Sequence, residues 1–215
     1  MAFDVLDEHE QGELVQKWLR QNGTSILIGI GVGFLLIFGW QQWKLHNAQH
    51  AAEAATQYQV YIDKLDKKDW DAASALAQKL REDYADTAYA VFVAMRQAES
   101  ALQRGEQAPA LEAMQWAHQH SKGDAMQALS GTRLAQIEIA QGKYDDALKV
   151  LNELPIGGYA ALISELRGDA LVALGRRDEA KTAYTETLTN LDAHAPNRAN
   201  VEMKLNELGV EKQGS

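Results

Sequence analysis

The strongest hydrophobic pattern in the chain is a run without a charged side chain, from residue 21 to residue 43. Its centre, residues 26–40, is apolar on every face of a helix, whereas a helix of a soluble core is apolar on one face. A helix over residues 24–43 would rise about 30 Å, which matches the hydrocarbon core of a bilayer. Trp40 and Trp43 end the run, where interfacial aromatic residues are common. The pattern predicts one membrane-spanning helix.

Other interpretations of this run agree less well with its residues. A cleaved signal peptide has a short basic start and small residues at its end. Here the preceding tail is acidic, and the run ends in Trp40-Gln-Gln-Trp-Lys44. A dinucleotide-binding loop would need a third glycine at a spacing where Phe34 and Leu36 stand. A buried core helix would not be apolar all round.

The charges beside the run indicate its orientation. Lys17 and Arg20 precede it closely, and only Lys44 follows it closely. The positive-inside rule therefore favours a cytoplasmic N-terminus and an exported C-terminal domain. We predict a cytoplasmic tail over residues 1–23, a transmembrane helix over residues 24–43 and a soluble domain over residues 44–215.

Small residues recur every four positions along the predicted membrane helix, at Ser25, Gly29 and Gly33. Residues at this spacing lie on one stripe of a helix, and small side chains let a second membrane helix approach closely. The alternative is that glycine is simply common in membrane helices. We treat the stripe as a candidate packing site.

The remaining chain is predicted to be helical, because Ala, Leu, Glu, Gln, Lys and Arg dominate and no alternating β-branched run occurs. No Gly or Pro interrupts residues 41–66, so the first soluble helix is expected to continue directly from the membrane helix. A last helix over residues 198–208 is expected to cover the end of the domain. The face that the first soluble helix should bury consists of Ala51, Ala55, Tyr58, Ile62 and Leu65.

A short pattern recurs along this helical region. Its copies end in an alanine, and the spacings of 37, 37 and 33 residues separate Ala73, Ala110, Ala147 and Ala180. Three copies begin with a glycine that would end the preceding helix in a left-handed cap. These intervals are typical of stacked helix pairs.

The positions around these copies resemble the tetratricopeptide repeat: a small residue, then Gly-x-Tyr-x-x-Ala, then a bulky residue. The unit at Ala73 is the least regular, because Ala77 is small where the other units carry Met114, Leu151 or Tyr184. A helical bundle without repeats is the alternative. The predicted repeat-packing residues are Ala98, Gly105, Ala110, Ala135, Gly142, Tyr144, Ala147, Leu151, Gly168, Gly175, Ala180 and Tyr184.

Composition and motifs narrow the function classes. The net charge of −9 argues against general nucleic-acid binding. The chain has no cysteine, and we find no hydrolase, metalloprotease or phosphate-loop motif. His46 with His50, and His118 with His120, lack further ligands by sequence. We therefore expect no enzyme, no metal, no cofactor and no small-molecule substrate.

Stacked helix pairs bind partners through a concave surface lined by the inner helices. Ordinary surface positions would look the same in a single sequence. The candidates on the two most regular repeats are Arg133, Gln136, Glu138, Arg167, Asp169 and Leu171.

The whole combination resembles the ancillary SecYEG translocon subunit family of Gram-negative bacteria. The matching stretches include Val15-Gln-Lys-Trp-Leu19, the glycine-rich helix, Gly39-Trp40-x-x-Trp43 and Leu134-Ala135. The most specific stretch runs over residues 158–171, Gly-Tyr-Ala-Ala-Leu-Ile-Ser-Glu-Leu-Arg-Gly-Asp-Ala-Leu.

The resemblance implies a single-pass, type II protein of the inner membrane whose repeat domain lies in the periplasm. It implies association with SecYEG and with a membrane-anchored periplasmic chaperone related to prolyl isomerases. The expected role is non-catalytic handover of secretory and outer-membrane proteins to periplasmic chaperones. The alternatives are an adaptor of another envelope complex, in cell-wall synthesis or division, and a regulator that acts through the cytoplasmic tail.

Overall fold

The computed structural model describes residues 8–209 of the 215-residue chain. Within this range the chain is helical and contains no strand, so the predicted all-α fold is confirmed. A short 3₁₀ helix lies at Gly157–Tyr159. The α-helices are α1 (Glu8–Asp66), α2 (Trp70–Asp83), α3 (Ala88–Gln103), α4 (Gln107–His120), α5 (Asp124–Ala140), α6 (Tyr144–Glu153), α7 (Ala160–Ala173), α8 (Arg177–Asn190) and α9 (Arg198–Gly209).

The apolar run and the first soluble helix form one uninterrupted helix, α1, as the lack of breaking residues predicts. Its large apolar side chains are exposed; Leu27 is 70% and Leu35 is 73% exposed. Its most apolar window has a mean hydropathy of 1.9, and none of that window is buried. By length and composition, α1 is able to cross a bilayer.

The described residues belong to two compact units that divide between Ala52 and Glu53. The first unit contains the apolar part of α1. The second contains the end of α1 and α2 to α9, with all four clusters of buried apolar residues. The boundaries at residues 23/24 and 43/44 concern a bilayer and stay predictions.

Four turns of the second unit share one backbone conformation. Lys68, Gly105, Gly142 and Gly175 have φ angles of 58°, 78°, 73° and 74°, in the left-handed region that costs glycine nothing. In each turn, the N–H of the next residue donates to the carbonyl oxygen five residues before it, at 2.8–2.9 Å. This is the Schellman ending of a helix. The repeat therefore exists in the backbone, and its first copy places lysine where the others have glycine.

In each helix pair of this unit a small residue packs with a large one. In the fourth pair, α7 and α8, a Cβ added to Gly168 would lie 2.6 Å from Cδ1 of Tyr184. The first pair reverses the order, because Tyr61 precedes the turn and Ala77 follows it, and both are buried in one cluster. The second and third pairs combine Ala98 with Met114 and Ala135 with Leu151.

The buried face at the end of α1 shares three residues with the predicted face but is centred on two residues that the prediction omitted. Its fully buried residues are Ala54 and Tyr61, and Tyr58, Ile62 and Leu65 pack beside them. Tyr61 lies seven residues before Lys68, as Ala98 lies seven before Gly105. The register of the repeat thus determines which face is buried.

The last helix, α9, closes the final cluster with Val201 and Leu208. Its Lys204 Nζ lies 3.0 Å from Glu165 Oε1 and 2.7 Å from Asp169 Oδ1, both on α7. Arg177 of α8 donates to the carbonyl oxygens of Glu207 and Leu208 at the end of α9. Because these contacts connect α9 with α7 and α8, α9 covers an end that an open stack would expose.

Candidate functional site

The small-residue stripe of α1 is open in this structure. Ser25 and Gly29 are exposed and Gly33 is half-buried. A Cβ added to Gly29 or Gly33 would meet nothing within 4 Å. The backbone there has room for another helix to approach, and the role of the stripe stays a prediction.

The residues chosen for repeat packing lie at the helix crossings and turns. Tyr144 is half-buried against the last cluster. The three glycines Gly105, Gly142 and Gly175 are exposed at the left-handed turns. The others are buried: Ala98, Ala110, Ala135, Ala147, Leu151, Gly168, Ala180 and Tyr184. These places in the fold agree with a packing role, which stays a prediction.

The six candidates for the concave surface lie in different environments. Arg133 and Gln136 are exposed on α5, and Arg167 and Asp169 are half-buried on α7. Glu138 is 3% and Leu171 is 7% exposed, so neither presents its side chain to an open surface. The two residues occupy the same place in their repeats, four residues before Gly142 and Gly175. Their carbonyl oxygens accept the Schellman hydrogen bonds.

The half-buried candidates are engaged within the domain. Asp169 Oδ1 accepts a hydrogen bond from Tyr184 Oη at 2.7 Å, in addition to the contact with Lys204. Arg167 Nη2 donates to the carbonyl oxygen of Leu151 at 3.4 Å, and its Nε has no hydrogen-bond partner. Asp169 therefore holds α8 and α9 in place, and only Arg133 and Gln136 of the six lie on open surface.

Glu138 is an unusual residue for a core position. Its Oε2 is buried without a hydrogen-bond partner. Desolvation, and to a lesser extent the nearby Asp146, raise its pKa to about 7, against a lowering effect of Lys143. A buried carboxyl with this pKa carries part of its charge at neutral pH, and that charge costs stability.

A polar cluster between α4 and α5 contains a serine and a histidine in contact. His118 Nδ1 lies 3.2 Å from Ser130 Oγ, and Ser121 Oγ donates to Ser130 Oγ at 2.9 Å. Burial lowers the pKa of His118, opposed by Glu153. Ser130 is completely buried and donates to the carbonyl oxygen of Met126. No substrate can reach this serine, so we assign the cluster to packing.

The possible metal ligands do not converge. His46 and His50 on α1 have ring centroids 6.5 Å apart. His120 stacks on Trp116 with 3.9 Å between ring centroids. Among the described residues, no group of three or more His, Asp or Glu side chains is placed to hold a metal ion.

A groove that the sequence did not reveal lies between α2 and α4, over α3 and the end of α1. We call it the α2–α4 groove; its volume is about 540 Å³. Its floor includes the buried residues Ala77 and Ala101, and its walls include Trp70, Arg81 and Glu112. The small size of Ala77, in the least regular copy of the repeat, is the one sequence signal for this groove.

Arg81 has a distinctive environment in this groove. Its guanidinium lies 4.6 Å from the ring centroid of Trp116 and donates from Nη1 to Gln97 Oε1 at 3.4 Å. Desolvation lowers the pKa of Arg81, and the nearby Glu112 raises it. Within residues 8–209, no carboxylate oxygen lies within 4 Å of this guanidinium. The groove therefore combines an apolar floor with a half-buried cation.

A sequence model of the tetratricopeptide repeat-like domain matches residues 16–210. The chain belongs to this family. The match covers the apolar part of α1 as well as the helix pairs, which agrees with the repeated turns described above.

Three proteins named Ancillary SecYEG translocon subunit are similar to this chain along nearly its full length. The protein of Haemophilus influenzae is 28% identical, over 97% of this chain and 100% of its own length. That of Escherichia coli K12 is 26% identical, over 95% and 98%. That of Neisseria gonorrhoeae is 26% identical, over 89% of each chain. The predicted resemblance to this family is confirmed.

Proposed function

We propose that this chain is a non-catalytic scaffold of the inner membrane that associates with the SecYEG translocon. The observation that carries the proposal is the similarity, through α1 and the repeats alike, to proteins named as translocon subunits. The exposed apolar helix supports a membrane anchor. Tetratricopeptide-like helix pairs are binding scaffolds, and the polar clusters described above serve packing.

We further propose that the repeat domain lies in the periplasm and passes emerging proteins to a membrane-anchored chaperone related to prolyl isomerases. The positions of Lys17, Arg20 and Lys44 support this orientation. The chaperone partner rests on the family resemblance. A chaperone bound beside an export channel would meet its substrates before they aggregate.

Orientation can be tested with single cysteines, because the natural chain has none. Ala199→Cys is at an exposed position of α9, and Gly12→Cys is at an exposed position near the start of α1. In cells with a permeabilised outer membrane, a membrane-impermeant maleimide should label Ala199→Cys and should label Gly12→Cys only after lysis. The reverse labelling pattern would overturn the proposed orientation.

Association is tested by purification in mild detergent at native expression. SecYEG and a membrane-anchored chaperone should co-purify, and their absence would contradict the proposal. Gly29→Leu with Gly33→Leu should weaken a contact made in the membrane. Gly31→Leu is the matched control, since it lies on the opposite helix face and a Cβ there also meets nothing within 4 Å. Recovery of cell-wall or division proteins instead would favour the adaptor alternative.

A further inference from the structure

We propose that the α2–α4 groove binds an extended polypeptide segment that sets an apolar side chain on the alanine floor and a carboxylate on Arg81. The inference goes beyond the proposed function, since it holds for any envelope complex that the chain joins. It rests on the charge, the size and the shape of the groove.

The charge argument compares Arg81 with other arginines of the domain. Four of them lie within 3.1 Å of a carboxylate oxygen: Arg96 with Glu99, Arg104 with Glu106, Arg176 with Glu179 and Arg198 with Glu202. Arg81 and Arg198 are half-buried and the other three are exposed, yet the contacts of Arg81 are an indole ring and one amide oxygen. A guanidinium in a partly desolvated place gains more from a carboxylate than an exposed one does. Arg81 itself thus complements a carboxylate of a ligand, in a groove whose walls also carry the carboxylates of Asp71 and Glu112.

The floor of the groove carries small residues, and the side chains of Ala77 and Ala101 in it are 0% and 2% exposed. Ala77 stands where the other pairs carry Met114, Leu151 or Tyr184, and Ala101 lines the space beside it. The resulting volume of about 540 Å³ lies within the range of sites that bury a ligand, about 300–1,000 Å³. An apolar side chain can therefore be buried on this floor.

The shape of the groove favours a peptide over a small carboxylic acid as the ligand. The groove follows α2 from Trp70 to Arg81, a distance of about 16 Å along a helix. About five residues of extended chain cover this length. Trp70 is 55% exposed at one end, and exposed tryptophan is a frequent anchor in protein interfaces. One segment can contact the indole, the floor and Arg81 together.

The test uses the full chain in lipid nanodiscs and fluorescein-labelled peptides of alanine and serine. Each probe carries one leucine and one glutamate, at increasing separations, and each has matched versions with glutamine for glutamate or serine for leucine. In fluorescence anisotropy, at least one separation should bind about ten-fold more tightly with glutamate than with glutamine, the value of a charge-assisted hydrogen bond. The serine version should bind more weakly as well.

Variants locate the binding. Arg81→Gln should abolish the preference for glutamate, whereas Arg176→Gln, whose guanidinium is paired with Glu179, should keep it. Ser74→Phe, at an exposed position of the groove wall, should weaken every probe while circular dichroism stays unchanged. It also serves as the second test if Arg81→Gln fails to fold.

Three results would overturn the inference. The first is that no probe binds the natural chain better with glutamate than with glutamine. The second is that Arg81→Gln and Ser74→Phe both leave the binding unchanged. The third is a dimer, seen in analytical ultracentrifugation, that Arg81→Gln dissociates while no probe competes with it, because the groove would then hold a second copy of the chain.

Discussion

In the first helix pair of the repeat domain the large residue precedes the turn, and in the fourth pair it follows the turn. Tyr61 and Ala77 are buried in one cluster in the first pair, and the ring of Tyr184 lies against Gly168 in the fourth. The turns themselves are the same, with left-handed Lys68 and Gly175 and the same hydrogen bonds. Turns with the same backbone conformation thus accept a large residue either before or after the turn.

The difference teaches that the combined volume of the two positions matters more than the residue at either one. A close-packed interior tolerates a large residue only where its neighbour is small. The two arrangements, with the large residue before or after the turn, differ in how they fill the space next to the second helix of the pair. In the first pair, Ala77 lines the α2–α4 groove, whereas Tyr184 fills the corresponding place in the fourth pair and donates to Asp169.

The largest expected effect is the loss of either tyrosine. Tyr61→Ala and Tyr184→Ala should each lower the free energy of unfolding by about 3–5 kcal/mol, because a buried ring leaves a cavity. Ala77→Leu should restore part of the loss in Tyr61→Ala, since it gives the first pair the order of the others. Urea unfolding followed by tryptophan fluorescence measures the loss in each single variant and the restoration in the double variant. A double variant no more stable than Tyr61→Ala alone would contradict the volume argument.

The next effect concerns the small partner in the fourth pair. Gly168→Ala should cost about 1–3 kcal/mol, since its Cβ would overlap the ring of Tyr184. In a Tyr184→Leu background the same change should cost much less. The matched change at an open position is Gly158→Ala, where a Cβ meets nothing within 4 Å. Equal costs in both backgrounds would show that the ring is not the obstacle.

A smaller effect compares Glu138 with Leu171, which occupy the same buried place in the third and fourth pairs. The raised pKa of Glu138, about 7, means that the folded chain holds this proton more tightly than the unfolded chain. The contribution of Glu138 to the free energy of unfolding is therefore fully present below pH 4.5, and it is lost as the pH rises through about 7. Glu138→Gln should raise the stability by roughly 1–2 kcal/mol at pH 8 and by little at pH 4.

Thermal unfolding at the two pH values checks this difference. Glu186→Gln, at an exposed position of α8, is the matched control and should show no such dependence. A gain for Glu138→Gln that is equal at both pH values would show that charge is not the cause.

The smallest effect concerns the turns. Lys68 has a φ of 58°, which costs a residue with a Cβ about 1–2 kcal/mol, and replacing it with glycine loosens the unfolded chain. Lys68→Gly should therefore stabilise by about 0.5 kcal/mol, and Gly105→Ala should destabilise by about 1 kcal/mol. Chemical denaturation of the two variants decides this. A loss of stability in Lys68→Gly would show that the lysine side chain contributes contacts of its own.

The main elements of the fold could be predicted because they depend on local patterns. The uncharged run, the three glycines and the spaced alanines each determine a helix or a turn through nearby residues. The buried face of the first soluble helix was predicted only in part. Its centre at Ala54 and Tyr61 depends on the register of the repeat, which Lys68 conceals. In α9, Met203 hides the stripe formed by Val201, Leu205 and Leu208, because it is apolar yet 53% exposed.

The candidate sites were harder to predict, because they depend on distances between helices. Leu171 looked like a surface residue of an inner helix, but its carbonyl oxygen ends that helix and its side chain lies in the core. Arg81 showed no sequence signal, since its place over Trp116 joins residues 35 positions apart. Spacing along one helix does not reveal which charges remain without a counter-ion after the helices pack.

The closure of the last cluster by α9 also orders events in time. Val201 and Leu208 share this cluster with Leu148 and Leu171, so this cluster is completed only by residues near the end of the chain. During synthesis, the earlier pairs can pack one after another, because each contacts mainly its neighbours. The fourth pair must keep its apolar surface uncovered until residue 208 has emerged. A ribosome that pauses before that point holds a chain whose first repeats are complete and whose last repeat is still open.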